Sequence, residues 1–288
     1  MSVLGVHGIS KIAYFRRAGE DPAAAADAMG VDWTAWIDRG VAKYTPTRQP
    51  PGAVSIGYYA DCLAGDVAMG PEDPEHLGSL GQELFVTWVE EISRERFGAE
   101  QFSQNAAHKW AVGKPAAFVV NHYGEQLCGI LSRLSGDLAS YFGPDHGERR
   151  ENARRRVAEA IRRHRPRTLL AHSLGSVVVY EALCADSDLG KGIELLVTLG
   201  SPLGVPRVVF ERLDPKPGAR GIRPPGVGTW VNLAEIGDPV ALPAGRLTER
   251  FDGLDEDIQV SLNVANPHSV KNYLGCRKFA EVLQTYLP

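Results

Sequence analysis

The stretch Thr168-Leu169-Leu170-Ala171-His172-Ser173-Leu174-Gly175-Ser176-Val177-Val178-Val179-Tyr180-Glu181-Ala182-Leu183 joins a short apolar strand pattern directly to a helical one. Between them stands a small residue followed by His-Ser-Leu-Gly. A serine at such a junction is predicted to sit on a strained strand-to-helix turn that holds its hydroxyl out above the sheet. The turn brings backbone segments too close for bulk, so the positions two before and two after must be small; here they are Ala171 and Gly175. The turn also aims Ser173 at the N-terminus of the following helix, where the Leu174 N–H is free to stabilise an oxyanion. The competing reading is an ordinary N-cap, since serine before an apolar helical run caps well.

Where such an elbow is catalytic, an acid and then a histidine follow the serine along the chain. Beyond Ser173 there is a single histidine, His268, in Asn266-Pro267-His268-Ser269-Val270, after the last predicted strand and before a helix expected around Lys271–Tyr286. A loop there can swing an imidazole over the sheet edge toward the serine; a plain surface histidine is the alternative. For the acid, Trp230–Val240 reads as a strand followed by a loop with two carboxylates. Asp238 is the choice: it is short, lies where the chain turns, and can accept the Nδ1–H of His268. Glu235 is the reserve, and Gly237-Asp238-Pro239 also suits a simple turn. Asp252, Asp255 and Asp257, near the approach to the last strand, fit less well. A second oxyanion donor is expected after the first strand, in Val6-His7-Gly8-Ile9-Ser10. Gly8 lets backbone approach the site, the Ile9 N–H is the donor, and His7 braces the loop.

Around these motifs, short β-rich apolar runs alternate with longer helical patterns, which predicts an α/β fold with a mostly parallel sheet. The strands are expected at Val3–Val6, Val54–Tyr59, Thr168–Ala171, Leu195–Leu199, Thr229–Ala234 and Ile258–Leu262. Several are almost continuously apolar, as strands covered on both faces must be. Residues 61–165 read as mostly helical. Leu80, Leu84, Trp88 and Ile92 recur at helical spacing, as do Leu127, Ile130, Leu131, Leu134, Leu138 and Tyr141. Such stripes are ordinarily core faces; a cap over a cleft is the sharper alternative. Thr45–Gly52 and the Pro- and Gly-rich Leu213–Gly228 read as loops, the second expected to border the site.

An apolar fraction of 44% and a charged fraction of 23% are those of an ordinary globular chain. The net charge of −4 gives no overall pull toward nucleic acid or anionic membrane. Cys62, Cys128, Cys184 and Cys276 lack metal or redox spacing and read as free thiols, with Cys184 packed on a helix. No His/Cys/Asp ligand cluster, phosphate loop or dinucleotide fingerprint stands in the sequence, so no metal or organic cofactor is called for. Met1–Gly8 has no basic leader, and no stretch approaches the roughly 20 apolar residues of a membrane helix, so a cytoplasmic location is expected. Arginines crowd Arg149–Arg167, where Ala153, Val157, Ala160 and Ile161 would face the sheet. A solvated charged face is the plain reading, and a site for an anionic partner the alternative.

Taken with Val6-His7-Gly8-Ile9, Ala171-His172-Ser173-Leu174-Gly175-Ser176, Leu199-Gly200-Ser201-Pro202-Leu203-Gly204, Glu235–Val240 and Pro267-His268-Ser269, the chain resembles the α/β-hydrolase superfamily. The closest likeness is to compact bacterial lipases and esterases, and to bacterial hydrolases labelled serine esterases or peptidases. Compact bacterial lipases also carry Ala in place of the first elbow glycine. The resemblance implies a single domain over 1–288, with a helical insert or cap at 61–165 that finds no motif match. It implies Ser173, Asp238 and His268 as triad, Ile9 and Leu174 as oxyanion donors, and Ser201–Gly204 shaping the pocket. The expected activity is cleavage of a carboxylic ester in a small-molecule or lipid-like acyl substrate, by way of a covalent acyl-enzyme. Peptidase, thioesterase, acyltransferase and a non-catalytic binding homologue stay open as alternatives.

Overall fold

Runs of leucine and β-branched residues too apolar to face water form the central layer. In the computed structural model the chain is described over residues 2–9, 11–47, 49–63, 73–98, 112–143, 147–242, 245–262, 264 and 266–286. The described strands are β1 Val3–Val6, β2 Val54–Gly57, β3 Thr168–His172, β4 Leu195–Leu199, β5 Thr229–Glu235 and β6 Glu256–Val260. They form one sheet in the order β2-β1-β3-β4-β5-β6, with every neighbouring pair parallel. The fold is therefore α/β. Parallel neighbours need crossovers. Helices supply those before β4: α1 Ile12–Arg17 and α2 Pro22–Tyr44 lead to β2, α3 Ala60–Leu63, α4 Ser79–Phe97, α5 Gly113–Tyr123, α6 Glu125–Phe142 and α7 Gly147–His164 to β3, and α8 Leu174–Ala185 to β4, while α9 Val270–Leu274 and α10 Arg277–Tyr286 follow β6.

Alternate strand residues feed two cores. Leu4, Val6, Leu169, Ala171, Leu196 and Trp230 meet apolar side chains of α4, α6, α7 and α8 on one face. Val3, Leu170, Val197, Leu199, Val231 and Leu233 meet α2, α9 and α10 on the other. Helix α2 begins where Asp21 accepts the Ala23 N–H at 2.8 Å with Pro22 in the first turn, and it turns Met29, Trp33, Ile37 and Val41 to the sheet.

Three elements differ from expectation by more than one residue, while β3 and β5 each run one residue further than expected. Strand β2 stops at Gly57, because pairing with β1 ends there. Strand β6 starts at Glu256, two residues early: its register on β5 is set partly by Asp257, which accepts from Asn232 Nδ2 at 2.9 Å, and apolar periodicity does not mark such a bond. The C-terminal helix is two helices broken at Gly275, where α2 passes so closely that a Cβ on Gly40 would lie 3.2 Å from the Gly275 Cα.

Within 61–165, residues 64–72, 99–111 and 144–146 lie outside the described residues. The two helical stripes fall on α4 and α6, where all their members but the partly buried Leu80 are buried in the first core. Helix α7 buries Ala153, Val157 and Ile161, with Ala158 beside them and Ala160 partly exposed. Its arginines find carboxylates within the chain: Arg154 with Asp214, Arg156 with Asp61, Arg162 with Asp186. The Pro- and Gly-rich segment Leu213–Gly228 does not border the site expected of it. It leads to the amino ends of β4 and β5, where Gly228 fits against Glu194, and Arg220 and Arg223 tie it to Asp252 and Asp255. All four cysteines are free, Cys184 on α8 among them. Among the described residues no helix is long and apolar enough to cross a membrane.

One buried carboxylate joins three helices of the first face. Glu181 of α8 is fully buried and receives the Tyr141 hydroxyl of α6 at 2.6 Å and Arg150 Nε of α7 at 2.9 Å. Removing the arginine strands that carboxylate away from water. Arg150 is itself partly exposed and Arg154 stands 4.0 Å from the same carboxylate, which softens the loss. Arg150→Met should cost about 2–3 kcal/mol of unfolding free energy, read from denaturant midpoints. A variant as stable as wild type would remove Glu181 from its place as the tie between these helices.

Candidate active site

At the carboxyl end of β3 the chain turns into α8 through Ser173, whose backbone lies at φ 53° and ψ −130°. A non-glycine residue rarely adopts such a conformation, and the surroundings impose it. The Ser173 N–H is held by Leu199 O at 3.0 Å. Behind it, Gly175 lies against β1, where a Cβ would come 2.4 Å from His7 O and 2.6 Å from Val6 O. Any side chain there collides with backbone that cannot yield. Ser176 adds a brace: its hydroxyl donates to Ser173 O at 2.6 Å and, having spent its hydrogen, accepts from Ser201 Oγ at 2.7 Å. Ser201 Oγ also accepts the Leu203 N–H at 3.3 Å, which sets the start of the segment after β4.

The three residues singled out by chain order meet here. His268 Nε2 lies 2.8 Å from Ser173 Oγ, and His268 Nδ1 lies 2.8 Å from Asp238 Oδ2. Since the carboxylate only accepts, Nδ1 carries the ring hydrogen, and Nε2 accepts from the serine hydroxyl. Asp238 Oδ1 takes the Val240 N–H at 2.9 Å, so the turn expected of Gly237-Asp238-Pro239 and the contact with His268 coexist. Gly200, at φ +54°, leaves the pair its room, as a Cβ there would stand 3.1 Å from Asp238 Oδ2 and 3.3 Å from His268 Nδ1. All three side chains are buried.

Other carboxylates are spent elsewhere. Glu235, the reserve acid, turns back to accept the Gly237 N–H and, at 3.4 Å, the Leu262 N–H. Asp252, Asp255 and Asp257 pair with Arg220, Arg223 and Asn232. Leu174 opens α8, so its N–H has no preceding turn to bond within the helix. Gly8 brings the loop after β1 against the elbow, where its Cβ would lie 2.7 Å from Ser173 Cβ; Ile9 follows, partly buried. His7 braces this loop: its Nε2 accepts the Tyr59 N–H at 3.2 Å, so Nδ1 carries the hydrogen and donates to Gly8 O at 2.7 Å. Stacking on Tyr59 at 4.4 Å completes the burial, which pushes the pKa of His7 down to about 3.

Two participants escaped the sequence reading. Tyr273 of α9 donates its hydroxyl to Asp238 Oδ2 at 2.9 Å and accepts the Glu235 N–H at 2.9 Å. His172 reaches the backbone of His268, with Nε2 3.0 Å from its carbonyl oxygen. A tyrosine on a helix stripe and a histidine in the variable slot of an elbow carry no local mark of these bonds. Trp88 of α4 also ties to the acid loop, its Nε1–H donating to Pro239 O at 3.1 Å. Among the described residues no group of three or more His, Cys, Asp or Glu side chains is placed to hold a metal ion. In comparisons with known proteins, no family model, no curated protein and no solved structure matched the chain.

The strain at Ser173 can be measured. Ser173→Gly and Ser173→Ala both lose the hydroxyl, but only glycine accepts φ 53° freely. Relief of strain outweighs the looser unfolded chain that glycine brings, so the glycine variant should exceed the alanine variant by about 1 kcal/mol in denaturant unfolding. An alanine variant of equal or greater stability would mean that the elbow is unstrained.

Acid should weaken the fold through His7. The folded chain keeps this ring uncharged down to about pH 3, whereas the unfolded chain protonates near the ordinary value of 6.5. Between those values the unfolded state binds the extra proton, so stability rises with pH and falls as pH drops from 6.5 toward 3. Across this window His7→Asn should flatten the fall by about 1.4 kcal/mol per pH unit, read by urea unfolding at successive pH values. Equal slopes in the two proteins would count against an uncharged His7.

Proposed function

We propose that the chain is a serine hydrolase of the α/β-hydrolase family that cleaves a carboxylic ester through a covalent acyl-enzyme. The observation that carries this reading is the hydrogen-bonded series Ser173 Oγ, His268 Nε2, His268 Nδ1 and Asp238 Oδ2, with both links at 2.8 Å, at a strained strand-to-helix turn. An N-cap serine would spend its side chain on its own helix; this one makes no side-chain cap and is bonded to an imidazole instead.

The chemistry follows from the atoms. Ser173 Oγ attacks the acyl carbon while its proton passes to His268 Nε2. The carbonyl oxygen becomes an oxyanion, for which the Leu174 N–H and the Ile9 N–H are the proposed donors. The Asp238 carboxylate steadies the imidazolium and holds the ring in the tautomer the first step needs. His268 then delivers the proton to the leaving alkoxide oxygen as the carbon–oxygen bond breaks. Water, deprotonated at the same Nε2, attacks the serine ester and releases the acid, and Ser173 regains its hydrogen. A dry setting strengthens each of these charge interactions, and Ser173 and Asp238 are at most 1% exposed. The proposed substrate is a small-molecule or lipid-like acyl compound. Thioesters, peptides and acceptors other than water use the same acyl-enzyme and belong in the same substrate panel.

A fluorophosphonate probe read by intact mass tests the reading. Wild type should gain one adduct, Ser173→Ala none, and His268→Ala should react about 100-fold more slowly or worse. Folded wild-type protein that takes no adduct would point away from hydrolysis and toward a ligand-binding role for the same residues.

A further inference from the structure

Among the described residues, the loop between β6 and α9 carries His268 with few backbone ties. Asn266 O accepts Asn272 Nδ2 at 2.9 Å and, at a long 3.4 Å, the Ser269 N–H of the peptide that carries His268 O. The shorter hold on that peptide comes from His172. Its Nε2 lies 3.0 Å from His268 O, in a buried contact between residues 96 apart in sequence. A carbonyl only accepts, so Nε2 carries the ring hydrogen. Nδ1 keeps its lone pair, fully buried and without a hydrogen-bond partner among the described residues, turned to the backbone of Gly8, where a Cβ would come within 2.8 Å. The two imidazole rings lie 4.9 Å apart, tilted by 37°. Burial and the neighbouring His268 hold the pKa of His172 well below its ordinary value, so the donor arrangement persists without adding charge beside the His268 ring.

The dipeptide His172-Ser173 therefore holds His268 at two points. One side chain binds its carbonyl and the next binds its imidazole. These holds differ in lifetime. The Ser173–His268 bond lasts only while the serine carries its hydrogen; once Oγ is acylated it has no hydrogen to give Nε2. The His172 bond runs to a backbone carbonyl that takes no part in proton transfer, so it survives every step.

We propose that His172 is a positioning residue that keeps His268 aligned through the acyl-enzyme stage, when the serine can no longer hold it. This rests on the hydrolase reading above, and its strongest effect should fall on deacylation. Misplacement of a catalytic group by about 1 Å can cost about 100-fold in rate.

The experiment compares wild type with His172→Phe, which keeps a ring without a donor, and His172→Gln, whose amide nitrogen can reach the same carbonyl. The substrate is 4-nitrophenyl acetate, followed by stopped flow, with the downfield His268 Nδ1–H proton recorded by NMR. His172→Phe should lower kcat by about 10- to 100-fold, with KM falling alongside it because kcat/KM stays set by acylation. It should also turn a steady time course into a burst as acyl-enzyme accumulates, and broaden the Nδ1–H signal. His172→Gln should recover most of the rate and sharpen the signal. Equal losses in both variants would make the role one of packing, and wild-type kinetics with a sharp signal in His172→Phe would overturn the proposal. Should His172→Phe not fold, His172→Met, which also lacks a donor, takes its place against His172→Gln. If wild type neither hydrolyses the ester nor takes a fluorophosphonate, the hydrolase reading fails. The NMR arm still decides whether His172 orders His268: a signal indifferent to the donor means it does not.

Discussion

The carbonyls of Val6 and His7 occupy the space a side chain on Gly175 would need, and the rest of the site is arranged around that approach. Because the first turn of α8 lies on the end of β1, the chain leaving β3 has no room for a relaxed turn, and Ser173 takes the strain. The same approach sets the loop after β1 beside the serine, with Gly8 against its Cβ. Sheet order matters here: β1 and β3 are parallel neighbours, so both loops emerge at the same edge. Exchanging either strand for another neighbour would separate Gly8 from Ser173 entirely.

Strain at one residue needs support from many, and the site supplies it with hydrogen bonds that leave little freedom. Ser173 is held through its N–H by Leu199, through its carbonyl by Ser176 and through its hydroxyl by His268. Asp238 accepts from His268, Tyr273 and Val240, and Tyr273 in turn accepts the Glu235 N–H at the end of β5. His7 and His172 are kept uncharged by burial, each presenting one donor of defined direction. Buried polar groups are costly when unpaired, and all of these but His172 Nδ1 find a partner among the described residues, so the network favours one geometry over its near neighbours. The outer helices contribute at a distance: Trp88 of α4 holds the carbonyl of Pro239, next to the acid.

Local chemistry was enough for the sheet and for the elbow. The apolar runs at β1, β4 and β3 are confined to strands because nothing else buries such segments on both sides, and Ala171 and Gly175 flank a turn that admits only small residues. Where polar side chains set the pairing, as at Asp257 against Asn232, periodicity misjudged the boundary of β6. Leu213–Gly228 had the composition of a loop and is one, but composition carries no direction, and the segment runs to the opposite end of the sheet from Ser173.

By itself the sequence determined which residues had the chemistry to take part: a serine at a forced turn, one later histidine, and a short acid in Gly-Asp-Pro. Chain order could propose that Ser173, Asp238 and His268 meet, because local patterns reveal strands and turns one at a time. Only the tertiary structure decided the distances between them, the turning away of Glu235, and the roles of Tyr273 and His172. Those contacts join residues between 27 and 96 positions apart, through side chains whose directions are set by packing rather than by their neighbours in sequence. A hydrogen bond across such a separation leaves no periodicity behind, so it becomes visible only once the sheet has brought its ends together.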